Sequence, residues 1–326
     1  MRHSIGFTTI CAGVVAGVLP LAVAAEVPES SGTWETAAPL PEERTEVSVT
    51  TDGERLFLLG GFAQSAENRA SAPRAVYAYD PGEDGWSHIT DLPEGVNHAG
   101  LAHLEGALYV VGGYREASFD AIADVRIYDI EGDRWRDGPT LPTARGALAV
   151  AVVDGRIHAI GGVDADGEKT GAHEVFEPAG DSWTTAAALP TPRDHIGAAV
   201  INGEIVVLAG RDDTSDTLTA NEIYDAKTGQ WREGAPVPTG RSGVAVVELG
   251  GYVYLFGGET FDPNSTFDEV ERYRLAEDRW EALPPMPTAR HGLGAAVLNG
   301  RIHVVSGGPE AGFAFSDAHE VLEPEE

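Results

Sequence analysis

Six tryptophans divide the chain into repeats of about fifty residues, and this period constrains the fold more than any other feature. Twenty-six residues after each tryptophan comes a small residue followed by glycine. The tryptophans are Trp34, Trp86, Trp135, Trp183, Trp231 and Trp280, and the pairs are Gly60-Gly61, Gly112-Gly113, Gly161-Gly162, Ala209-Gly210, Gly257-Gly258 and Ser306-Gly307. The distance from each pair to the next tryptophan varies from 22 to 26 residues, so the variable length lies in the loop that follows the pair.

Each repeat predicts four short antiparallel strands, which we name a to d in chain order. Strands a and b are two apolar runs joined by a two-residue turn, of which Asp154-Gly155 is typical; such a pair favours a type I′ hairpin because both central residues need positive φ. The other turns are Asp52-Gly53, Glu105-Gly106, Asn202-Gly203, Gly250-Gly251 and Asn299-Gly300. Strand c carries an aromatic residue, which is Tyr79, Tyr128, Phe176, Tyr224 or Tyr273, and strand d carries the tryptophan.

Short strands repeated at this spacing, with glycine and aromatic residues at fixed offsets, are typical of a β-propeller. The first tryptophan strand, Gly32–Thr36, has no strands a to c before it, and the last c-like strand, 319–323, has no strand d after it. We therefore expect an all-β, six-bladed propeller in which the N-terminal strand completes the last blade and closes the ring. The glycine, tyrosine and tryptophan offsets resemble the kelch family from about Gly32 to Glu323, with Val96, Ala209, Ser306 and Leu322 as departures.

Residues 1–25 have the pattern of a cleaved signal peptide, with Arg2, an apolar run and small residues up to Ala24 and Ala25. A membrane anchor is disfavoured because Pro20 interrupts the run and no positive segment follows it. We expect cleavage near Ala24 or Ala25, a periplasmic or secreted location in a bacterium, and a single propeller domain over 26–326. Cys11 lies in this leader, so the mature chain has no thiol chemistry.

The chain carries 52 acidic and 22 basic residues, a formal net charge of −30. This excludes nucleic acid and anionic membranes as expected partners, because both require a positive surface. The acidic residues are dispersed, which favours a solvated acidic coat over a site for a cationic partner or a metal ion. We expect a monomer that does not insert into a membrane after signal cleavage.

Residues that recur in every repeat are interpreted as structural. Arginine lies ten residues after five of the tryptophans, at Arg44, Arg145, Arg193, Arg241 and Arg290, and Val96 replaces it in the second repeat. Glutamates two residues before the c-strand aromatic position, at Glu174, Glu222, Glu271 and Glu320, are its expected partners. The alternative is an arginine ring for an acidic ligand. His158 and His303 occupy a position that is aromatic in other repeats, which predicts packing rather than metal binding.

Function is expected where the repeats differ. The long b–c loops and the d–a connections share one face of a propeller, so we place the site there, at the channel mouth. Two residues after the arginine position the copies carry Glu46, His98, Ala147, His195, Gly243 and Gly292, and directly after the glycine pair they carry Phe62, Tyr114, Val163, Arg211, Glu259 and Gly308. The predicted ligand-binding residues are Glu46, His98, Tyr114, Arg115, His195, Arg211 and His291.

The sequence lacks a phosphate loop, a nucleophile elbow and a zinc-helix motif. No cofactor is expected, and no metal site, because His98 and His195 belong to repeats that are not neighbours. The first hypothesis is a non-enzymatic exported kelch module that binds a protein segment, a glycan or another small molecule. The alternative, from resemblance to periplasmic kelch enzymes, is a sugar epimerase or mutarotase that acts on sialic acid, with histidine, glutamate and arginine as acid, base and carboxylate ligand.

Overall fold

The computed structural model describes Met1 and residues 32–64 and 70–325. The rest of the predicted signal peptide lies outside the described residues. The described chain forms six four-stranded antiparallel sheets, which confirms the all-β prediction. Its helical segments are two 3₁₀ turns, Pro178–Gly180 and Leu275–Glu277. Helices long and apolar enough to cross a membrane do not occur among the described residues.

The sheets follow the repeats, and each contains strands a, b, c and d in that order. Sheet 1 contains Ser48–Thr51, Leu56–Leu59, Ala75–Asp80 and Gly85–Asp91; sheet 2 contains Gly100–Leu104, Ala107–Val111, Val125–Asp129 and Arg134–Asp137; sheet 3 contains Ala149–Val153, Arg156–Ile160, His173–Glu177 and Ser182–Thr185. Sheet 4 contains Gly197–Ile201, Glu204–Leu208, Asn221–Asp225 and Gln230–Glu233; sheet 5 contains Ala245–Leu249, Tyr252–Phe256, Val270–Arg274 and Arg279–Leu283; sheet 6 contains Gly294–Leu298, Arg301–Val305, His319–Pro324 and Gly32–Thr36.

Sheet 6 joins the two ends of the described chain. Gly32–Thr36 pairs antiparallel with His319–Pro324, with Trp34 opposite Leu322, which is the pairing expected from the incomplete first and last repeats. The a strands of consecutive sheets contact each other, and the a strand of sheet 6 contacts that of sheet 1. The apolar core lies between neighbouring sheets, as where Ile127 of sheet 2 packs in one cluster with Phe176 of sheet 3.

The recurring tryptophans link neighbouring repeats by a hydrogen bond as well as by packing. The Trp183 indole N–H donates to the Pro139 carbonyl at 2.8 Å, and the Trp231 N–H donates to the Ala187 carbonyl at 2.8 Å. Trp34, Trp86 and Trp280 make the corresponding bonds to Pro284, Ala38 and Ala235. In this position a half-buried indole makes apolar contacts with its ring and a hydrogen bond with its N–H, which is its only donor.

Five of the six a–b turns have positive φ at both central residues, as predicted; at Asp154 and Gly155 the values are 51° and 72°. The prediction is wrong for the first turn, where strand b begins only at Leu56 and Asp52 does not adopt positive φ. The Asp52 carboxylate there accepts hydrogen bonds from the backbone N–H groups of Glu54 and Arg55, which stabilises a longer loop.

The buried arginines bind the glutamates that the sequence predicts. Arg193 has no exposed surface, and its Nη1 donates to Glu222 Oε2. Thr191 Oγ1 donates to the other oxygen of Glu222 at 2.8 Å, so both carboxylate oxygens have partners. The same pairs occur as Arg145–Glu174, Arg241–Glu271 and Arg290–Glu320.

Repeats 1 and 2 lack this ion pair. In repeat 2, Val96 replaces the arginine and Arg126 occupies the position of the glutamate; its guanidinium binds Asp124 at 3.0 Å instead. In repeat 1, Arg44 binds Glu42 at 2.8 Å and lies 5.1 Å from the ring centre of Tyr77. The arginines therefore satisfy structural needs within their own repeats and do not form a ring for an acidic ligand.

Two pairs of buried histidines occupy equivalent places in sheets 3 and 6. His158 Nδ1 and His173 Nε2 are 2.8 Å apart, as are His303 Nδ1 and His319 Nε2. His173 Nδ1 lies 3.0 Å from the Ala187 carbonyl, which accepts its proton, so His173 Nε2 accepts from His158. Burial lowers the pKa of His158 and His303 to about 3 and that of His173 and His319 to about 4. All four rings are neutral packing elements, as predicted for His158 and His303.

We expect Glu222→Met to lower the free energy of unfolding by about 3–5 kcal/mol, because it leaves the Arg193 charge buried without a partner. Chemical denaturation measures this loss. The double variant Arg193→Met/Glu222→Met removes both charges and should lose less than the single variant. The control is Glu204→Met, which breaks a half-exposed pair with Arg232 and should change stability by about 0–1 kcal/mol. Equal losses from the two single variants would contradict the structural role of the buried pair.

We expect stability to fall as the pH decreases from about 6.5 to 4, because an unfolded imidazole titrates near a pKa of about 6.5 and then binds protons that the folded chain excludes. The double variant His158→Phe/His303→Phe should reduce the slope of unfolding free energy against pH by up to about 1.4 kcal/mol per pH unit for each imidazole removed. Urea denaturation at a series of pH values measures this slope. Tyr254→Phe, at the equivalent position of repeat 5, is the packing control; a slope that stays at the wild-type value in the double variant would refute the assignment.

Candidate functional site

Short cross-strand pairs at one end of the sheets bring the candidate position after the glycine pair next to the residue that precedes the other candidate position. The residue after each arginine position pairs with the residue after the glycine pair of the same repeat. The pairs are Thr45 with Phe62, Asn97 with Tyr114, Gly146 with Val163, Asp194 with Arg211, Ser242 with Glu259 and His291 with Gly308. Side chains from both positions therefore meet at the start of the innermost strands.

The next residue in each repeat adopts the left-handed backbone conformation. The φ values are 55° at Glu46, 51° at His98, 54° at Ala147, 51° at His195, 66° at Gly243 and 59° at Gly292. Backbone hydrogen bonds connect these residues from one repeat to the next. Ala147 N–H donates to His98 O at 3.0 Å, His195 N–H to Ala147 O at 3.1 Å, Gly243 N–H to His195 O at 3.0 Å and Gly292 N–H to Gly243 O at 2.9 Å. This chain of hydrogen bonds holds the channel mouth rigidly.

A cavity of about 230 Å³ opens above the mouth. Its polar floor consists of Glu46, His98, His195, Arg211, Glu259 and His291, and its phenylalanine rim consists of Phe62, Phe119, Phe261 and Phe313. Phe119, Phe261 and Phe313 are 61, 45 and 61% exposed, whereas Phe62 is buried between Phe119 and Phe313. Glu46, His98 and His195 also line the narrower space below, which leads into the channel.

The tautomer of His98 follows from its neighbour Asn97. The Asn97 Nδ2 amide donates to the Glu116 carbonyl at 2.7 Å and to the Ser118 carbonyl at 3.2 Å, which identifies Oδ1 as the atom beside His98 Nδ1. That oxygen only accepts, so Nδ1 of His98 carries the proton at a distance of 2.6 Å. Burial lowers the pKa of His98 to about 4, although the Glu46 charge opposes the shift. Its Nε2 therefore presents a lone pair to the cavity at neutral pH.

His195 has the same orientation through Asp194. Its Nδ1 lies 2.9 Å from Asp194 Oδ1, and its Nε2 lies 3.0 Å from Arg211 Nη2 and 3.1 Å from His98 Nε2. Burial alone would raise the pKa of Asp194, but its hydrogen bond to His195 and the charges of His195 and Arg211 lower it. Asp194 is thus an anionic acceptor that holds the ring of His195 and the Nε of Arg211, the latter at 3.0 Å.

Two further carboxylates complete the floor. Burial would raise the pKa of Glu46, but electrostatic interactions with His98, His195, His291 and Arg211 outweigh it and lower the pKa to about 2. Glu259 lies 3.4 Å from Arg211 Nη1 and accepts a hydrogen bond from the Gly312 N–H at 3.0 Å. His291 Nε2 is 3.5 Å from both Glu46 Oε1 and Glu259 Oε2.

The structure brings five of the seven predicted residues together in the floor: Glu46, His98, His195, Arg211 and His291. The other two do not present polar groups to the cavity. Tyr114 is buried and its ring packs edge-on against His98 at 5.4 Å, and burial raises the pKa of its hydroxyl. Arg115 follows Tyr114 in an extended strand, so its side chain points to the other side and binds Glu94 at 3.2 Å.

Asn97, Asp194, Glu259 and the rim residues Phe119, Phe261 and Phe313 belong to the site but are not among the predicted ligand-binding residues. Asn97 and Asp194 precede the two predicted histidines directly, and Glu259 occupies the same position in its repeat as Arg211, so their spacing carried a usable signal. Phe119 and Phe313 lie in b–c loops of different length, where no position corresponds between repeats. Only the three-dimensional structure places them over the channel.

Two groups in the floor have the ligand types of a metal site. The ligand atoms of Glu46, His98 and His195 lie within 4.8 Å of one another, as do those of Glu46, Glu259 and His291. The sequence-based reason against such a site is wrong. His98 and His195 come from repeats 2 and 4, but both side chains extend across the mouth past Ala147 and meet.

The comparisons with known proteins agree with this architecture. A model of the "KLHDC2/KLHL20/DRC7 Kelch-repeats domain" matches residues 147–322, and a model of the "Kelch motif" matches residues 96–142. A solved structure titled "Structure of YjhT" superposes with a TM-score of 0.72 at 17% sequence identity, and covers 86% of this chain and 96% of that one.

Curated relatives are similar over part of the chain. Kelch-like protein 35 of Mus musculus is 34% identical over 148 residues, which are 45% of this chain and 24% of the mouse protein. Kelch-like protein 34 of Homo sapiens is 33% identical over 41% of this chain and 22% of its own length, and Kelch-like protein terF of Aspergillus terreus is 28% identical over 48% and 37%. The chain thus spans about a quarter to two-fifths of the length of these relatives.

Kelch-family models match more than half of the sequence. The chain belongs to the kelch-repeat family of β-propellers.

Proposed function

We propose that the chain is an exported binding module that takes up one side chain of a protein segment in the cavity above the channel mouth. One observation carries this proposal. Apart from Met1, the exposed large apolar side chains in the described part of the chain are Phe119, Phe261 and Phe313, and all three lie around the same cavity. Apolar side chains gathered at one place on a surface mark an interaction site.

The size of the cavity favours one inserted side chain. Its volume of about 230 Å³ is smaller than the range of roughly 300–1,000 Å³ found for drug-sized ligands. The phenylalanine rim contacts the apolar body of the inserted group, and the polar floor binds its polar end. Kelch propellers are typically protein-interaction modules, which agrees with an occupant of this kind.

The floor limits what the inserted side chain carries at its end. Glu46 and Glu259 offer acceptor oxygens, and Arg211 offers donors next to Phe261, whose ring centre lies 5.4 Å from the guanidinium. Buried polar groups that a bound partner leaves unpaired reduce affinity strongly. The segment therefore presents a side chain with an apolar body and a hydrogen-bonding end.

The test is a selection of peptides from a displayed random library against the purified chain. We expect the selected peptides to share one such side chain and to bind the double variant Phe119→Ser/Phe313→Ser at least tenfold more weakly in fluorescence anisotropy, because the rim supplies the apolar contact. Both phenylalanines are exposed, so the melting temperature should not change. Lys227→Ser, at an exposed position in a c–d turn at the opposite end of the strands, is the control and should bind like the wild type. Selected peptides that bind the rim variant as tightly as the wild type would rule out this cavity.

A second candidate is a carbohydrate epimerase or mutarotase at the same site. It is favoured by the convergence of His195 Nε2, oriented by Asp194, with the Arg211 guanidinium at 3.0 Å. An oriented imidazole is a general base, and arginine is a ligand for a sugar carboxylate. NMR of freshly dissolved sialic acid distinguishes the two candidates. If the wild-type chain accelerates anomer interconversion and the His195→Ala variant does not, the chain is an enzyme. If interconversion stays at the uncatalysed rate even at high protein concentration, the enzymatic candidate is eliminated.

Export is part of the proposal and rests on the signal-peptide pattern of residues 1–25, which no structural observation addresses. N-terminal sequencing of the chain from the periplasm or medium is expected to begin near Ala25 or Glu26. A chain that retains Arg2 would contradict export by cleavage.

A further inference from the structure

We propose that Glu46, His98 and His195 bind a divalent transition-metal ion at the channel mouth. This inference goes beyond the proposed function, because it adds an ion to the floor of the cavity, where the polar end of the bound side chain would lie. The three side chains come from repeats 1, 2 and 4, and all are nearly buried.

The lone pairs of the three side chains point towards one another. Both histidines carry their proton on Nδ1, since His98 Nδ1 faces the Asn97 oxygen at 2.6 Å and His195 Nδ1 faces the Asp194 carboxylate at 2.9 Å. His195 Nε2 is an acceptor because Arg211 Nη2, which only donates, lies 3.0 Å from it. His98 Nε2, the other acceptor, is 3.1 Å from His195 Nε2. Glu46 Oε2, a third acceptor, is 3.3 Å from His98 Nε2. Arg211 Nη2, 3.0 Å from His195 Nε2, supplies one positive group beside these acceptors, and a divalent cation between the three atoms would replace their mutual repulsion with attraction.

The separations of His98 Nε2 from His195 Nε2 and from Glu46 Oε2 also fit ligands of one metal ion. Nitrogen and oxygen ligands lie about 2.0–2.2 Å from Zn²⁺, so two ligands of one tetrahedral ion are about 3.3–3.5 Å apart. The measured separations of 3.1 and 3.3 Å are close to this tetrahedral edge. Two imidazoles and one carboxylate are a ligand set for divalent zinc or iron rather than for calcium or magnesium, which prefer oxygen.

The groups that surround the two histidines also match those found in metal sites. Histidine ligands in metal sites typically donate their other N–H to a carboxylate or carbonyl, which fixes the ring. Asp194 does this for His195, and the side-chain carbonyl of Asn97 does it for His98. Asn97 is itself held by the Glu116 carbonyl at 2.7 Å. With three protein ligands the ion keeps a fourth position, and the cavity above it is the space for water or for a ligand atom.

Arg211 competes with the ion. Its Nη2 lies 3.0 Å from His195 Nε2 and occupies the lone pair that a metal would use. Its other contacts, to Asp194 and Glu259, allow the guanidinium to remain bound at one side of the floor when Nη2 moves away. Substitutions of Arg211 and of Asp194 should therefore change metal affinity in opposite directions, which a general loss of folding would not do.

Calorimetric titration of the tag-free chain with Zn²⁺ tests the proposal. We expect one bound ion per chain, binding at least a hundredfold weaker in His98→Ala and in His195→Ala, and no binding of Ca²⁺. His103→Ala, which removes an imidazole from strand a of the same repeat as His98, is the control and should bind like the wild type. Asp194→Asn should bind about 10–100-fold more weakly, and Arg211→Met should bind more tightly.

Titration with Co²⁺ gives a second measurement that does not depend on any variant. A visible absorption band of tetrahedral intensity that Zn²⁺ displaces would support the site. A wild-type chain that binds Zn²⁺ no better than His98→Ala, or an Arg211→Met variant that binds it more weakly than the wild type, would overturn the proposal. Peptide binding is measured in the same variants. If it persists in His98→Ala and is lost in Phe119→Ser/Phe313→Ser, peptide binding does not depend on the metal site, and the two proposals can be judged independently.

Discussion

The architecture depends on a close backbone contact at the second glycine of each pair. A Cβ atom on these glycines would lie 2.3–2.8 Å from the carbonyl oxygen of the residue that follows the arginine position, for example 2.5 Å from Gly146 O at Gly162 and 2.7 Å from Asp194 O at Gly210. At this point the backbone that leaves strand b lies against the backbone that enters strand a, and only glycine allows so close an approach of the two backbones. The same crossing pairs Asp194 with Arg211. The glycine contact that recurs in each repeat therefore also positions the side chains of the cavity floor.

The features that the sequence predicts correctly are those that recur in register. Six copies provide an internal alignment, so a position that serves every repeat can be separated from one that serves a single repeat. This is why the partners of Arg145, Arg193, Arg241 and Arg290 could be named. It is also why His98, His195 and Arg211 stood out as departures. The exception is the first turn, where Asp52 caps a longer loop through its own carboxylate, a local interaction that the repeat pattern does not encode.

The features that could not be predicted depend on distances between repeats. No spacing along the chain indicates that His98 and His195 meet, because the contact depends on the width of the mouth and on the small Ala147 between them. Phe119 and Phe313 lie in loops without a common register, so their approach to Phe62 is a property of loop conformation. Arg115 points away from the cavity towards Glu94, because strand alternation reverses its direction relative to Tyr114.

The backbone conformation at the channel mouth distinguishes residues that the fold requires from residues of the candidate site. All six equivalent residues have φ between 51° and 66°, a conformation that Gly243 and Gly292 adopt without strain. A residue with a Cβ atom in this region costs about 1–2 kcal/mol, so the fold alone would favour glycine in every repeat. Ala147 departs from glycine by one methyl group, whereas Glu46, His98 and His195 carry polar side chains that converge on one point. Ala147 shares the strained backbone, so it is the convergence of three polar side chains at strained positions that favours a binding role over packing. Arg193 and His158 lie outside the left-handed region and belong to the framework.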